Sequence, residues 1–175
     1  NTESDEIAEV AKKYGANVYK RAEHLAKDDV VQDHFNYDFV QNMKPDILVL
    51  VNPVCPLITS SDIDETINYF RENEFDTVVS TTSYRLHAFY NGSPINFNRE
   101  EELAKSQDLN PIRICNWAIC VWDAKKFCEH YEKHRYAVFV GELGFYDIPP
   151  ERSVKISTRE DLDYAKMLVA RYGLF

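Results

Sequence analysis

The sequence predicts one α/β domain spanning residues 1–175, built on a doubly wound, mostly parallel sheet. Three observations predict it. Ile47–Val51 is a continuous apolar run, too short for a helix and without polar alternation, which is the pattern of a strand buried on both faces. The run breaks at Asn52 into a loop containing Pro53 and Pro56, and a helix follows, with Ser61 as the expected cap and Asp64 three residues on. Strand-like and helix-like segments then alternate in the order of βαβ units. Ligands in such folds sit outside the carboxyl ends of the strands, so Asn52 to Thr59 is the predicted functional rim.

In chain order, residues 4–14 read as an amphipathic helix whose stripe is Ile7, Ala8, Val10, Ala11 and Tyr14, stopped by Gly15. Val18-Tyr19 reads as a short strand leading into Lys20 and Arg21. Residues 29–42 form a helix with Val31, Phe35 and Phe39 at steps of four. After the strand at 47–51 come a helix at 61–72, on Ile63, Ile67 and Phe70, and a strand at 77–81. Residues 83–98 place large side chains on either side of Asn91-Gly92, a strong short-range hairpin signal. The charged run 99–105 reads as a short solvated helix. Residues 112–122 return to the sheet, with 117–121 expected to run parallel to 47–51 and 77–81, and 124–133 are helical. A last short strand is expected at 137–140, before Pro149-Pro150. The helix at 159–171 opens on a Thr158/Asp161 capping box and stops at Gly173.

Composition narrows the function. A net charge of −9 argues against nucleic acid as a partner. The apolar runs fall short of a membrane span and no signal-peptide pattern opens the sequence, so a cytoplasmic protein with no membrane partner is expected. Cys55, Cys115, Cys120 and Cys128 lack paired CxxC spacing and read as free, mainly buried thiols. His130 and His134 share a helix face among lysines, which reads as a solvated face. The five glycines, Gly15, Gly92, Gly141, Gly144 and Gly173, do not cluster into a phosphate-cradling loop. The chain also opens on a helix, where a doubly wound nucleotide-binding fold opens on a central strand. The expected picture is such a fold without its first βαβ unit.

Four stretches carry a family resemblance. Ser4-Asp5-Glu6-Ile7-Ala8-Glu9-Val10-Ala11 resembles a helix following a second strand. Arg21-Ala22-Glu23-His24-Leu25-Ala26-Lys27-Asp28 resembles an Arg-Pro-x-x-Leu-Ala-x-Asp segment. Asn52-Pro53-Val54-Cys55-Pro56-Leu57, with Asp62-Ile63-Asp64 after it, resembles a Gln-Pro-Thr-Ser-Pro-Leu loop and helix start. Glu151-Arg152-Ser153-Val154 through Asp161 resembles a Glu-Arg-Ser-x-Asp-Ile-Asp-Thr-x-x-Asp tail. In this order they resemble the acylneuraminate cytidylyltransferases, the CMP-sialic acid or CMP-nonulosonic acid synthetases, from about residue 3 onward.

The resemblance implies a nucleotide-diphospho-sugar transferase type of sheet with a small dimerisation insertion at 84–110. It implies transfer of CMP from CTP to a nine-carbon keto sugar acid, with release of pyrophosphate, by a homodimer using Mg2+. The alternative is a non-catalytic relative that binds a sugar or nucleotide or serves as an assembly partner. By the same resemblance, Arg21 and Asp28 are nucleotide-binding, and Asn52, Arg113 and Asn116 are substrate-binding; no catalytic residue is assigned. Asn52 stands in place of a glutamine, and Trp117 in place of the glycine of an Arg-x-Asn-Gly-Ala-Ile segment. Lys155 and Ser157 stand where the family has two metal-binding aspartates, so no metal ligand is assigned.

Overall fold

The computed structural model describes residues 1–173. Its helices are α1 (Asp5–Lys13), α2 (Gln32–Met43), α3 (Ser60–Glu72), α4 (Ala124–His134) and α5 (Arg159–Tyr172). Its strands are β1 (Ile47–Val51), β2 (Thr77–Tyr84), β3 (Phe89–Tyr90), β4 (Ser93–Pro94), β5 (Ile112–Asp123) and β6 (Leu143–Asp147). Short 3-10 turns lie at Glu23–Leu25 and Ser106–Asp108. Four strands form one sheet in the order β1-β5-β2-β6, and β3 pairs with β4 in a separate hairpin. None of the described helices is long and apolar enough to cross a membrane.

Strand directions follow from the backbone bonds that flank each pair. The Asn52 N–H donates to Ala118 C=O and the Ala124 N–H to Asp46 C=O, so numbers rise along β1 as they fall along β5. The Asp123 N–H donates to Asp76 C=O, and Ile119 meets Ser80 four residues later, so β2 also runs against β5. Bonds from Thr77 to Glu142 and from Ile148 to Thr81 set β6 parallel to β2. Three strands therefore point one way and β5 runs against them. The fold is α/β as expected, but the expectation that 117–121 runs parallel is corrected. An unbroken apolar run reports burial on both faces and carries no information about direction.

Other elements shift in register or vanish. The cap of α3 is Thr59 with Asp62, not Ser61 with Asp64; each side chain accepts from the other's backbone N–H. The tail helix keeps its predicted Thr158/Asp161 box. The residues expected as a strand at 137–140 are irregular, and the strand lies at 143–147, across Gly144. Residues 99–105 form no helix. Val18-Tyr19 yields only a single parallel bridge, Thr2 to Lys20. The stripe on α1 is largely exposed, with only Ala8 buried.

The chain divides into two compact units: Asn1–Leu48, Phe75–Thr77 and Trp122–Leu143 in one, and Val49–Glu74, Val78–Val121 and Gly144 onward in the other. In the first, α2 faces α4, with Tyr37 stacked on Tyr131 at 4.4 Å and Trp122 edge-on to Phe127 at 5.8 Å. The buried face of α2 is Asp33, Asn36 and Val40, whereas Phe35 and Phe39 remain half-buried. Asp33 is held inside because its carboxylate accepts the Ala137 N–H at 2.8 Å. In the second unit Leu57, Ala165 and Leu168 form a core against which Val154, Ile156 and Val169 pack.

Candidate functional site

In the second unit the rim after β1 is built by local turns. The Asn52 Oδ1 accepts the Val54 N–H at 3.3 Å and its C=O accepts the Cys55 N–H at 3.0 Å, so Asn52 turns the chain as its own side chain caps the turn. The Ile156 N–H donates to Val54 C=O at 2.8 Å, which lays the tail alongside this loop. Burial pushes the Cys55 thiol up, with Lys155 opposing, so Cys55 is a poor nucleophile.

Asn116 is the centre of a polar cluster on β5 and β2. Its Oδ1 accepts from Ser80 Oγ at 2.5 Å and from the Ala118 N–H at 3.1 Å, and its Nδ2 donates to Thr82 Oγ1 at 3.1 Å. Thr82 Oγ1 lies 3.1 Å from Ser153 Oγ, which ties the cluster to the tail. Most of the Asn116 carboxamide is thus engaged within the protein, and its role is to orient Ser80, Thr82 and the backbone at 117–118. These hydroxyls were not singled out from sequence. Their signal was Ser80-Thr81-Thr82-Ser83, four hydroxyl residues in an otherwise buried strand. On the other face, Thr81 and Ser83 each donate to the Asp147 carboxylate, both at 2.6 Å.

The residue between Asn116 and Ala118 in this turn lies in the left-handed region. Trp117 has φ +59°, an outlier for an aromatic side chain and one that costs on the order of 1–3 kcal/mol. Arg113, further back on β5, is exposed and has no side-chain hydrogen bond or ion pair among the described residues, leaving its guanidinium available to an anion.

The tail is anchored by Arg152, which grips the Asp62 carboxylate through Nε at 2.9 Å and Nη2 at 2.8 Å. Burial pushes the Asp62 carboxyl up, but the bonds from Arg152 and Thr59 more than offset it and hold it below the usual range. Lys155 and Ser157 are exposed. The Ser157 and Thr158 N–H groups both donate to Asp161, so that carboxylate is engaged in capping α5. Among the described residues no group of three or more His, Cys, Asp or Glu could hold a metal ion. A divalent cation wants oxygen donors, and a lysine with an engaged aspartate does not fit one.

Arg21 and Asp28 belong to the first unit. Arg21 pairs with Glu3, and its guanidinium lies 4.7 Å from the Phe35 ring centre. Its Nε is buried without a partner among the described residues, so one donor remains unspent. Asp28 is exposed in a turn. The same unit holds a cavity of about 260 Å3 between α2 and α4, lined among others by Val40, Lys44, Cys128 and Glu132, to which neither residue contributes. His130 and His134 face each other at 4.5 Å, with His134 exposed.

No family model matches the chain. It is 27% identical to N-acylneuraminate cytidylyltransferase B of Danio rerio over 192 residues, an alignment taking in 100% of this chain and 42% of that protein. It is 24% identical to an N-acylneuraminate cytidylyltransferase of Streptococcus agalactiae over 168 residues, covering 92% of this chain and 40% of the relative. Post-translational flagellin modification protein B of Campylobacter coli is 27% identical over 134 residues, covering 63% and 54%. The chain thus spans about half or less of the length of these relatives. Among solved structures, 4-diphosphocytidyl-2C-methyl-D-erythritol synthase of Anaerococcus prevotii superposes with a TM-score of 0.66 at 15% identity, over 95% of this chain and 74% of that one. A CMP:2-keto-3-deoxy-manno-octonic acid synthetase complexed with CTP gives 0.65 at 11%, over 97% and 79%. These likenesses show the nucleotide-diphospho-sugar transferase fold.

Proposed function

We propose that this acylneuraminate cytidylyltransferase-like chain serves the transfer of CMP from CTP to a sialic-acid-type nine-carbon keto acid, with release of pyrophosphate. The observation that carries this reading is the sequence likeness to N-acylneuraminate cytidylyltransferases along the whole chain, at 24–27% identity. The rim geometry supports it. Asn52 ends a strand where ligands of such sheets gather, Arg113 offers a cation to the acid's carboxylate, and Asn116 holds the hydroxyl cluster in place. Arg21, with its unspent donor, and Asp28 are assigned to the nucleotide. The tail is assigned no Mg2+, and Mg2+ added without CTP is expected to leave the melting temperature unchanged; a rise would place an ion on the protein. The free thiols fit a reducing, cytoplasmic setting.

The test is pyrophosphate release from CTP with N-acetylneuraminate, on the protein as its gene encodes it in full and on residues 1–175. Turnover by the full protein, lowered at least tenfold in kcat/KM by Arg113→Ala, supports the reading. Binding of the sugar acid or CTP by calorimetry with no turnover would favour a non-catalytic relative. Absence of both would overturn the reading.

A further inference from the structure

We propose that Lys155 is a substrate-binding residue whose ammonium holds a substrate oxyanion, phosphate or carboxylate, at the rim after β1, so that this rim binds its anion without a divalent ion. The assignment rests on the function proposed above and deepens it. Its starting point is a misfit. The resemblance puts two metal-binding aspartates at positions 155 and 157, and this chain has Lys155 and Ser157 there. A lysine offers donors only and carries a positive charge, so it repels a cation where carboxylates would collect one. The motif aspartate that remains, Asp161, is spent on α5, where it accepts the Ser157 and Thr158 N–H groups.

The segment that carries Lys155 is fixed on both sides. Three residues before it, Arg152 bonds the Asp62 carboxylate through Nε at 2.9 Å and Nη2 at 2.8 Å. Directly after it, the Ile156 N–H donates to Val54 C=O at 2.8 Å, which lays the segment against the loop leaving β1. Val154 and Ile156 both pack on the core of Leu57, Ala165 and Leu168. With its two neighbours turned inward, Lys155 is turned outward, and it is exposed. Two residues back, Ser153 Oγ lies 3.1 Å from Thr82 Oγ1, which accepts from Asn116 Nδ2. The same stretch of tail therefore touches the rim loop at Val54 and the hydroxyl cluster at Thr82. Cys55, on the rim loop, feels the ammonium, whose charge works against the burial that pushes the thiol up.

The cation so placed is uncommitted. Lys155 has no side-chain hydrogen bond or ion pair among the described residues. A lysine ammonium is a compact point charge with three donors, suited to the oxygens of a phosphate or a carboxylate. It stands beside the loop at the carboxyl end of β1, where ligands of such sheets gather. In a protein of net charge −9, a fixed local cation is what lets an anion settle there.

The test uses the full protein as its gene encodes it and the variants Lys155→Gln and Lys155→Arg. Calorimetry measures binding of CTP and, separately, of N-acetylneuraminate, each in EDTA and in Mg2+. Lys155 is exposed, so both variants are expected to keep the melting temperature within a few degrees. In EDTA the natural protein is expected to bind at least one of the two ligands within about threefold of its affinity in Mg2+. K155Q is expected to weaken that binding at least tenfold and to flatten its salt dependence, and K155R to keep it within about threefold. A loss seen with CTP identifies the oxyanion as a phosphate, and a loss seen with N-acetylneuraminate identifies it as the carboxylate. Binding that K155Q leaves unchanged, an equal loss in both variants, or binding that requires Mg2+ would overturn the assignment and leave the proposed function standing. Binding of neither ligand by the natural protein would remove the proposed function itself, and the assignment with it.

Discussion

Asp62 does two jobs with one carboxylate. It closes the capping box of α3 with Thr59, and it receives both ends of the Arg152 guanidinium fork. Asp62 is 3% exposed, so replacing it leaves a cation facing a site with no counter-charge. Asp62→Asn is expected to lower stability by about 3 kcal/mol at pH 7, read from urea unfolding. The pH dependence has a definite sign. The folded carboxyl titrates below its ordinary value of 3.8, so its contribution is present above that pH and disappears as pH falls through the lower, folded value. The gap between the natural protein and Asp62→Asn should therefore be constant above about pH 5 and narrow progressively as pH falls below about 4 toward the lower, folded value. A gap that does not narrow at all on acidification would show that the bonds matter by shape and not by charge. Gly141 is a second such residue. At φ +60°, a Cβ there would overlap the Asp76 carboxylate, which is engaged by the Glu142 N–H and Lys126 Nζ. Gly141→Ala is expected to cost about 2–4 kcal/mol in the same measurement. A loss under about 1 kcal/mol would mean that the carboxylate moves aside.

Among the elements, the β3–β4 hairpin is the most local. Phe89 faces Pro94 and Tyr90 faces Ser93, leaving Asn91-Gly92 as a two-residue loop with φ of 49° and 80°. Both positive angles are what a type I′ turn needs, and its twist matches that of the strands. Gly92→Val is expected to raise amide exchange at 89–93 at least tenfold and to move the melting temperature by less than about 2 °C, because the hairpin adds little to either core. A large fall in melting temperature would show the hairpin to be part of the cooperative fold. The other elements show tertiary context overriding local pattern. On α3 the buried positions are Asp62, Thr66 and Phe70, and on α2 they are Asp33, Asn36 and Val40; of the polar ones, Asp62 and Asp33 have partners elsewhere in the chain, whereas Thr66 donates to Asp62 C=O within its own helix and Asn36 Nδ2 has no hydrogen-bond partner among the described residues.

At the scale of the molecule, segment 84–110 carries exposed apolar groups in number, among them Leu86 at 60%, Tyr90 at 71% and Leu103 at 63% exposure. Phe97 is covered by its own neighbours, His87 and Phe89, at 5.0 and 5.2 Å. We propose that the exposed remainder meets a second copy of the chain in a two-fold interface, since a self-complementary patch buries each copy's aromatics at once. Light scattering at micromolar concentration should report a dimer, and Tyr90→Asp should shift it to monomer without lowering the melting temperature of the monomeric fold by more than a few degrees. A monomeric natural protein would refute the assignment. The net charge of −9 makes the protein's long-range field repel anions, so an anionic ligand would have to be held by cations acting at short range.

What the sequence by itself determined was the set of periodic elements and their punctuation. The apolar run at 47–51, the Asn91-Gly92 turn, and the Thr158/Asp161 box each depend on residues a few positions apart, and each was found where the pattern put it. The family resemblance was also legible, because it rests on short strings in a fixed order. Tertiary structure alone decided the direction of β5, since an apolar strand looks the same read either way. It also placed β6 at 143–147: a strand is chosen by the partner it bonds, and the Thr77 and Ile148 N–H groups select this register over the more apolar 137–140. The site divided along the same line. Asn52 was legible as the end of a buried strand, whereas the bonds that hold Asn116 and the left-handed backbone at Trp117 were not. Their geometry depends on Ser80 and Thr82, more than 30 residues away in the chain, and a hydrogen bond across that separation has no period for a sequence to display.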